Sequence, residues 1–133
     1  VRHIEDGHEL YLHQPEMRRI VEFIQNNYRN KVTLIQMAQA ASISVSSVER
    51  LFRRNFGLTP HQYLKKTRLN AACRYLRSHD FELIQIAEAC GFNDQTSMTR
   101  SFRQELKITP LKYRQRFSVK VANRNGNQKT NPL

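Results

Sequence analysis

The sequence predicts an all-α fold of about seven helices, arranged as two helix-turn-helix lobes joined by a long linker helix. Three observations predict it. Ile35-Gln36-Met37-Ala38-Gln39-Ala40-Ala41 returns 49 residues on as Ile84-Gln85-Ile86-Ala87-Glu88-Ala89-Cys90. After a turn one residue longer in the second copy, Val48-x-Arg50-x-Phe52-Arg53 returns as Met98-x-Arg100-x-Phe102-Arg103, and Leu58-Thr59-Pro60-x-x-Tyr63 as Ile108-Thr109-Pro110-x-x-Tyr113. So many ordered matches mark an internal repeat. Between the copies, His61 to Arg77 carries no Gly or Pro and places apolar residues at 64, 69, 72, 73 and 76, which predicts one amphipathic helix. Within each copy a short helix, a small turn and a second helix follow in order, the helix-turn-helix plan.

Taken along the chain, residues 1–14 are polar and His-rich and are expected to form a flexible leader. His3, His8 and His13 recur every five residues, a spacing that puts them on different faces of a helix, and no Cys or carboxylate cluster joins them. No metal site is expected. Pro15 at a first helical position and Glu16 near the positive end of the dipole open a helix whose stripe is Met17, Ile20, Val21 and Ile24. Thr33 with Gln36 matches a capping box. Ser42-Ile43-Ser44 then forms a small turn before a helix from about Val45 to Asn55, with Val48, Leu51, Phe52 and the following Phe56 inward. Gly57 ends it, and Thr59-Pro60 open the linker.

The second copy starts less well. Glu82 stands where Thr33 stood, a poorer cap whose charge still suits a helix N-terminus. Gly91 is able to take a left-handed conformation, and Asp94 is a good N-cap for a helix from Gln95 to about Leu106, with Met98, Phe102 and Leu106 inward. Pro110 to about Phe117 forms a last helix with Tyr113 inward. The expected boundaries are lobe 1 at about 15–58, linker helix 60–77 and lobe 2 at about 79–117, within one double helix-turn-helix domain at 15–117. Residues 118–133 are expected to be a disordered tail of Asn, Lys, Gln and Arg.

Composition narrows the function. The formal charge of +11, from 22 Lys and Arg against 11 Asp and Glu, asks for a polyanionic partner. The basic residues are interleaved with helix patterns and do not form one amphipathic tail, which argues against a membrane surface. There is no long apolar run and no secretory signal pattern. No glycine-rich phosphate loop, paired carboxylates or ligand cluster supports an enzyme or a cofactor. Cys73 and Cys90 fall where each helix wants a small apolar residue and read as buried thiols of a reducing cytoplasm.

Nucleic acid is the partner that remains. The outward positions of the first candidate recognition helix are Ser46, Ser47, Glu49, Arg50, Arg53 and Arg54; those of the second are Gln95, Thr96, Ser97, Arg100 and Arg103. Small and polar side chains near a helix start suit base edges in a major groove, and the basic residues beyond suit phosphates. Gln95 is able to bond adenine bidentately and Arg100 guanine. An RNA-binding or ribosome-associated helical protein is the rival, but stacking platforms need exposed aromatics, and Phe52, Phe56, Phe92 and Phe102 fall on inward faces.

Ile86-Ala87-x-x-x-Gly91-Phe92, then Phe102-Arg103, then Thr109-Pro110-x-x-Tyr113-Arg114 resemble the signature of the AraC/XylS family of bacterial transcription regulators, and Tyr63-Leu64 with Arg68-Leu69-x-x-Ala72 is similar to the family's linker pattern. The resemblance covers about residues 15–117. It implies a seven-helix, two-lobed duplex-DNA-binding domain of a transcription activator, acting in the bacterial cytoplasm at the nucleoid, with RNA polymerase as a further partner. Such domains usually follow a separate N-terminal sensor or dimerisation domain, and a first residue of Val1, not Met, fits a fragment of that kind. Carried over by position, base reading falls to Ser46, Ser47, Glu49 and Arg50 in the first lobe and to Gln95, Thr96, Ser97 and Arg100 in the second, with Arg53, Arg54 and Arg103 on phosphates. The chain departs from the family at Ser42 and Lys107, where Gly is frequent, and at Met98, where an aromatic is frequent.

Overall fold

The computed structural model describes residues 14–119. Among these there are seven helices and no strand: α1 (Pro15–Asn27), α2 (Leu34–Ala41), α3 (Val45–Phe56), α4 (Pro60–Ser78), α5 (Leu83–Ala89), α6 (Gln95–Leu106) and α7 (Pro110–Phe117). The three leader histidines and all of the expected tail except Ser118 and Val119 lie outside the described residues. The chain divides into two compact units at Arg68/Leu69, inside α4.

The helix starts follow from side chains that satisfy the orphan N–H groups of a first turn. Thr33 accepts from the Gln36 N–H at 3.1 Å, while the Gln36 side chain accepts from the Thr33 N–H at 3.0 Å. Thr59 and Gln62 repeat that reciprocal pair at the head of α4. At α5, Gln85 accepts from the Glu82 N–H at 2.9 Å, so the weaker cap is met from the other side.

Four turn residues are left-handed: Ser42 (φ 56°), Gly57 (φ 68°), Gly91 (φ 90°) and Lys107 (φ 66°). A Cβ on Gly57 would meet nothing within 4 Å, so the demand for glycine there comes from the backbone angle alone. Lys107 takes the same conformation with a side chain attached, at a cost of about 1 kcal/mol.

In the first unit Met17, Ile20, Val21 and Ile24 of α1 are buried with Met37, Ala38, Ala41, Val48 and Phe52. Phe52, Phe56 and Tyr63 close this core as three rings with centroids 4.8–5.8 Å apart. Each such side chain stabilises by about 1.5–3 kcal/mol on burial. Arg68 finishes the unit by donating from Nε to the Tyr28 carbonyl at 2.9 Å and from a guanidinium nitrogen to the Asn30 carbonyl at 2.8 Å, so it caps the connection after α1. Burial lowers its pKa from the ordinary arginine value.

In the second unit Leu69, Ala72, Cys73 and Leu76 are buried with Ile86, Ala87, Cys90, Met98 and Phe102. Tyr113 meets Phe102 edge-on at 5.4 Å and accepts from Arg77 at 2.7 Å through its hydroxyl.

Two expectations are corrected. The linker is not one amphipathic helix. Tyr63, Leu64, Thr67 and Ala71 are buried along one side and Leu69, Ala72, Cys73 and Leu76 along another. At 100° per residue these sets lie roughly 180° apart on the helix wheel. A single stripe fitted through 64–76 therefore misses the second buried face. The second correction concerns the ends. Gln14, expected in a flexible leader, exchanges amide hydrogen bonds with Asn55 of α3 at 2.9 and 3.3 Å. Ser118, expected in a disordered tail, is 8% exposed and donates its N–H to the Arg114 carbonyl.

Candidate nucleic-acid interface

Helices α3 and α6 are built to one template. Ser44 caps α3 and Asp94 caps α6, each accepting from the backbone N–H three residues on, Ser47 at 3.1 Å and Ser97 at 2.7 Å. Val48, Phe52 and Phe56 anchor α3; Met98 and Phe102 anchor α6, with Leu106 half-buried. With the inward face fixed, the outward face is fixed too, because side-chain direction repeats every 3.6 residues.

On α3 this places Ser46, Glu49, Arg50, Arg53 and Arg54 in solvent, with Ser47 half-buried. On α6 it places Gln95, Thr96, Arg100 and Arg103 in solvent, with Ser97 half-buried. Every candidate site residue is thus on an outward or marginal position. They do not all gather in one place. An open hollow of about 760 Å³ on α6 is lined by Gln95, Thr96, Thr99, Arg100, Arg103 and Gln104. It takes in four of the expected residues and leaves out Ser97. A smaller hollow of about 300 Å³ is lined by Glu49, Arg50, Arg53, Thr59 and Pro60, leaving out Ser46, Ser47 and Arg54.

Thr99, Gln104, Thr59 and Pro60 stand outside the expected site residues. Thr99 and Gln104 carried a usable signal, since Gln95, Thr99 and Arg103 stand four apart, as do Thr96, Arg100 and Gln104. Thr59 gave none, because it reaches the hollow through the Gly57 turn.

The two half-buried serines are held at the helix starts. The Ser44 hydroxyl donates to the Ser47 hydroxyl at 3.0 Å, and Arg50 donates to the same Ser47 oxygen at 3.2 Å. Asp94 is held below the usual carboxylate range, first by the Ser97 N–H, then by the Ser97 side chain, with Arg100 adding an attractive charge.

Both faces offer guanidinium forks and short polar groups with no apolar cover, a chemistry suited to phosphate oxygens and base edges. Phe52, Phe56 and Phe102 are buried and Phe92 half-buried. The exposed Phe81 and Phe117 stand outside both recognition helices. Among the described residues no group of three or more His, Cys, Asp or Glu is placed to hold a metal ion, and no helix is long and apolar enough to cross a membrane.

A helix-turn-helix domain family model matches residues 37–116. The HTH-type transcriptional activator RhaS of Pectobacterium carotovorum is 32% identical over 103 residues, 77% of this chain and 37% of that protein. The probable transcriptional regulator LumQ of Photobacterium leiognathi is 30% identical over 94 residues, 71% of this chain and 38% of that protein. The chain therefore spans less than two fifths of the length of these relatives. A transcriptional regulator from Chromobacterium violaceum, described as containing an AraC-type DNA-binding domain, superposes with a TM-score of 0.76 at 27% identity, over 80% of this chain and 95% of that one. The DNA-binding domain of AdpA, solved in complex with a target DNA, gives 0.71 at 26% identity, over 84% and 95%. The chain belongs to the AraC/XylS family and carries its paired helix-turn-helix DNA-binding domain.

Proposed function

We propose that the chain binds duplex DNA at an asymmetric site and regulates transcription there, α3 and α6 each entering one of two adjacent major-groove segments. The observation that carries this is the shared template of α3 and α6, with a side-chain cap at the same position, Val48 and Phe52 buried as Met98 and Phe102 are, and outward faces of arginines and small polar groups. The solved complex of the AdpA domain with its target DNA supports the same reading. Because Ser46 and Arg50 face out of one helix and Gln95, Thr96 and Arg100 out of the other, the two segments differ in sequence. The activator relatives support an activating role, in which RNA polymerase is the second partner and the bacterial nucleoid the place of action.

The test is a salt titration on a duplex selected by the chain from a randomised pool. With six to eight phosphates neutralised, log K falls against log salt with a slope of roughly −5 to −7. A slope near zero, or equal competition by structured RNA, overturns the reading. Stoichiometry on the selected duplex tests the paired use of the helices. One chain per site is expected, and about five base pairs inserted between the segments weaken binding because they turn one groove to the opposite side. Two chains per site, or indifference to the insertion, overturns it.

A further inference from the structure

At the head of α3 the Ser47 hydroxyl has little left to give to a base. Its two acceptor positions are taken, one by the Ser44 hydroxyl at 3.0 Å and one by Arg50 at 3.2 Å, while its backbone N–H is bonded to the Ser44 oxygen at 3.1 Å. A serine hydroxyl has two acceptor sites and one proton, so only that proton is uncommitted. The long Arg50 side chain is exposed and rotamer-rich, and an unheld guanidinium spends its conformational freedom before it bonds a base.

We infer that Ser47 is a positioning residue for Arg50: Ser44, Ser47 and Arg50 form a relay along one edge of α3 that aims the guanidinium fork, and the sequence preference of the first lobe passes through Arg50 alone at this position. The inference rests on the proposed DNA reading and refines it. The helix cap and the aim of the arginine share one oxygen, so the folded N-terminus of α3 fixes where the fork points. At the head of α6 the same positions hold Asp94, Ser97 and Arg100, and there the cap is a carboxylate that attracts the arginine by charge.

The probe is a duplex selected by the wild-type chain from a randomised pool, together with all its single-base-pair variants. Ser47→Ala keeps the backbone N–H that Ser44 caps, so the helix start survives, as circular dichroism checks. Its expected effect is a two- to fivefold loss of preference, the approximate scale of one side-chain pair on a helix surface, at the base pair whose preference Arg50→Ala also relaxes. Ser47→Thr, which keeps a hydroxyl, restores it. In an Arg50→Ala background, Ser47→Ala changes nothing further, on the selected duplex or on random duplex. The inference is overturned if Ser47→Ala relaxes a different base pair, if its effect persists without Arg50, if it has no effect, or if Arg50→Ala leaves every preference intact. A wild-type chain that shows no base preference at all overturns the DNA reading itself, a failure visible before any variant is made.

Discussion

Helices α3 and α6 bury equivalent positions and expose equivalent positions, yet their outward faces diverge residue by residue. Glu49 stands where α6 has Thr99, Arg54 where it has Gln104, and Val45 where it has Gln95. The first face is therefore charged and of mixed sign, the second neutral and polar around two arginines. Amides and hydroxyls discriminate base edges, whereas added charge chiefly binds backbone. The repeat keeps the scaffold and lets the surface differ, which predicts α6 as the stronger reader and α3 as the stronger anchor.

The largest expected effect is at Arg100. Arg100→Ala costs about 1–3 kcal/mol on the selected duplex and relaxes preference at one base pair. Arg50→Ala is expected to cost less, since fewer amides and hydroxyls stand beside it on the outward face. Equilibrium titration of both variants checks the ranking, and a costlier Arg50→Ala reverses the comparison. Phosphate contacts come next. Arg103→Ala, Arg53→Ala and Arg54→Ala weaken all duplexes alike, each lowering the magnitude of the salt slope by about 1. A sequence-dependent loss at Arg54 would instead make it a reader, matching Gln104.

The helix ends sharpen the comparison through stability. Gly57→Ala forces a side chain into φ 68° and costs about 1 kcal/mol, although there is open space for it. Lys107→Gly relieves a similar strain but adds unfolded-state freedom, so its net gain is a few tenths of a kcal/mol, by roughly cancelling terms. Denaturant midpoints should move in opposite directions for the two.

The smallest effect is at the caps. The pKa of Asp94 is depressed in the fold, so its contribution is present above the unfolded aspartate pKa and is lost as pH falls through the folded one. Asp94→Asn keeps a capping oxygen and removes that titration. Stability of the wild type should therefore fall more steeply than that of Asp94→Asn on acidification below the ordinary aspartate range, while at the Ser44 cap no such difference exists.

Much of this was legible in the sequence because local chemistry and repeat agreed. Thr33 with Gln36, Asp94 before Gln95, and Gly57 after Phe56 each announce a helix end, and the offset of Arg50 to Arg100 aligns the outward faces. What escaped depends on contacts between distant parts of the chain. Arg68 reads as a residue of the linker pattern, which does not reveal that it bonds two carbonyls 40 and 38 residues away. The second buried face of α4 was hidden because two apolar stripes of opposite phase resemble one irregular stripe. Gln14 looked like leader because nothing near it in sequence points to Asn55. An outward position at Ser47 likewise says nothing of the hydrogen bonds its hydroxyl makes to Ser44 and Arg50.

Both cysteines of the chain, Cys73 and Cys90, lie in the second unit, at 3% and 0% exposure, and neither is in a disulfide. Burial pushes the Cys73 thiol up, against weaker opposing pulls from Tyr113 and Arg77, so the reactive thiolate is scarce as well as hidden. Modification by a thiol reagent therefore waits for the second unit to open, and its rate counts those openings. With no cysteine in the first unit, the unaltered chain carries a built-in clock for one half only. A single exposed-to-reagent rate, followed with and without duplex, then measures how far DNA steadies that half, without any label added to the half that holds α3.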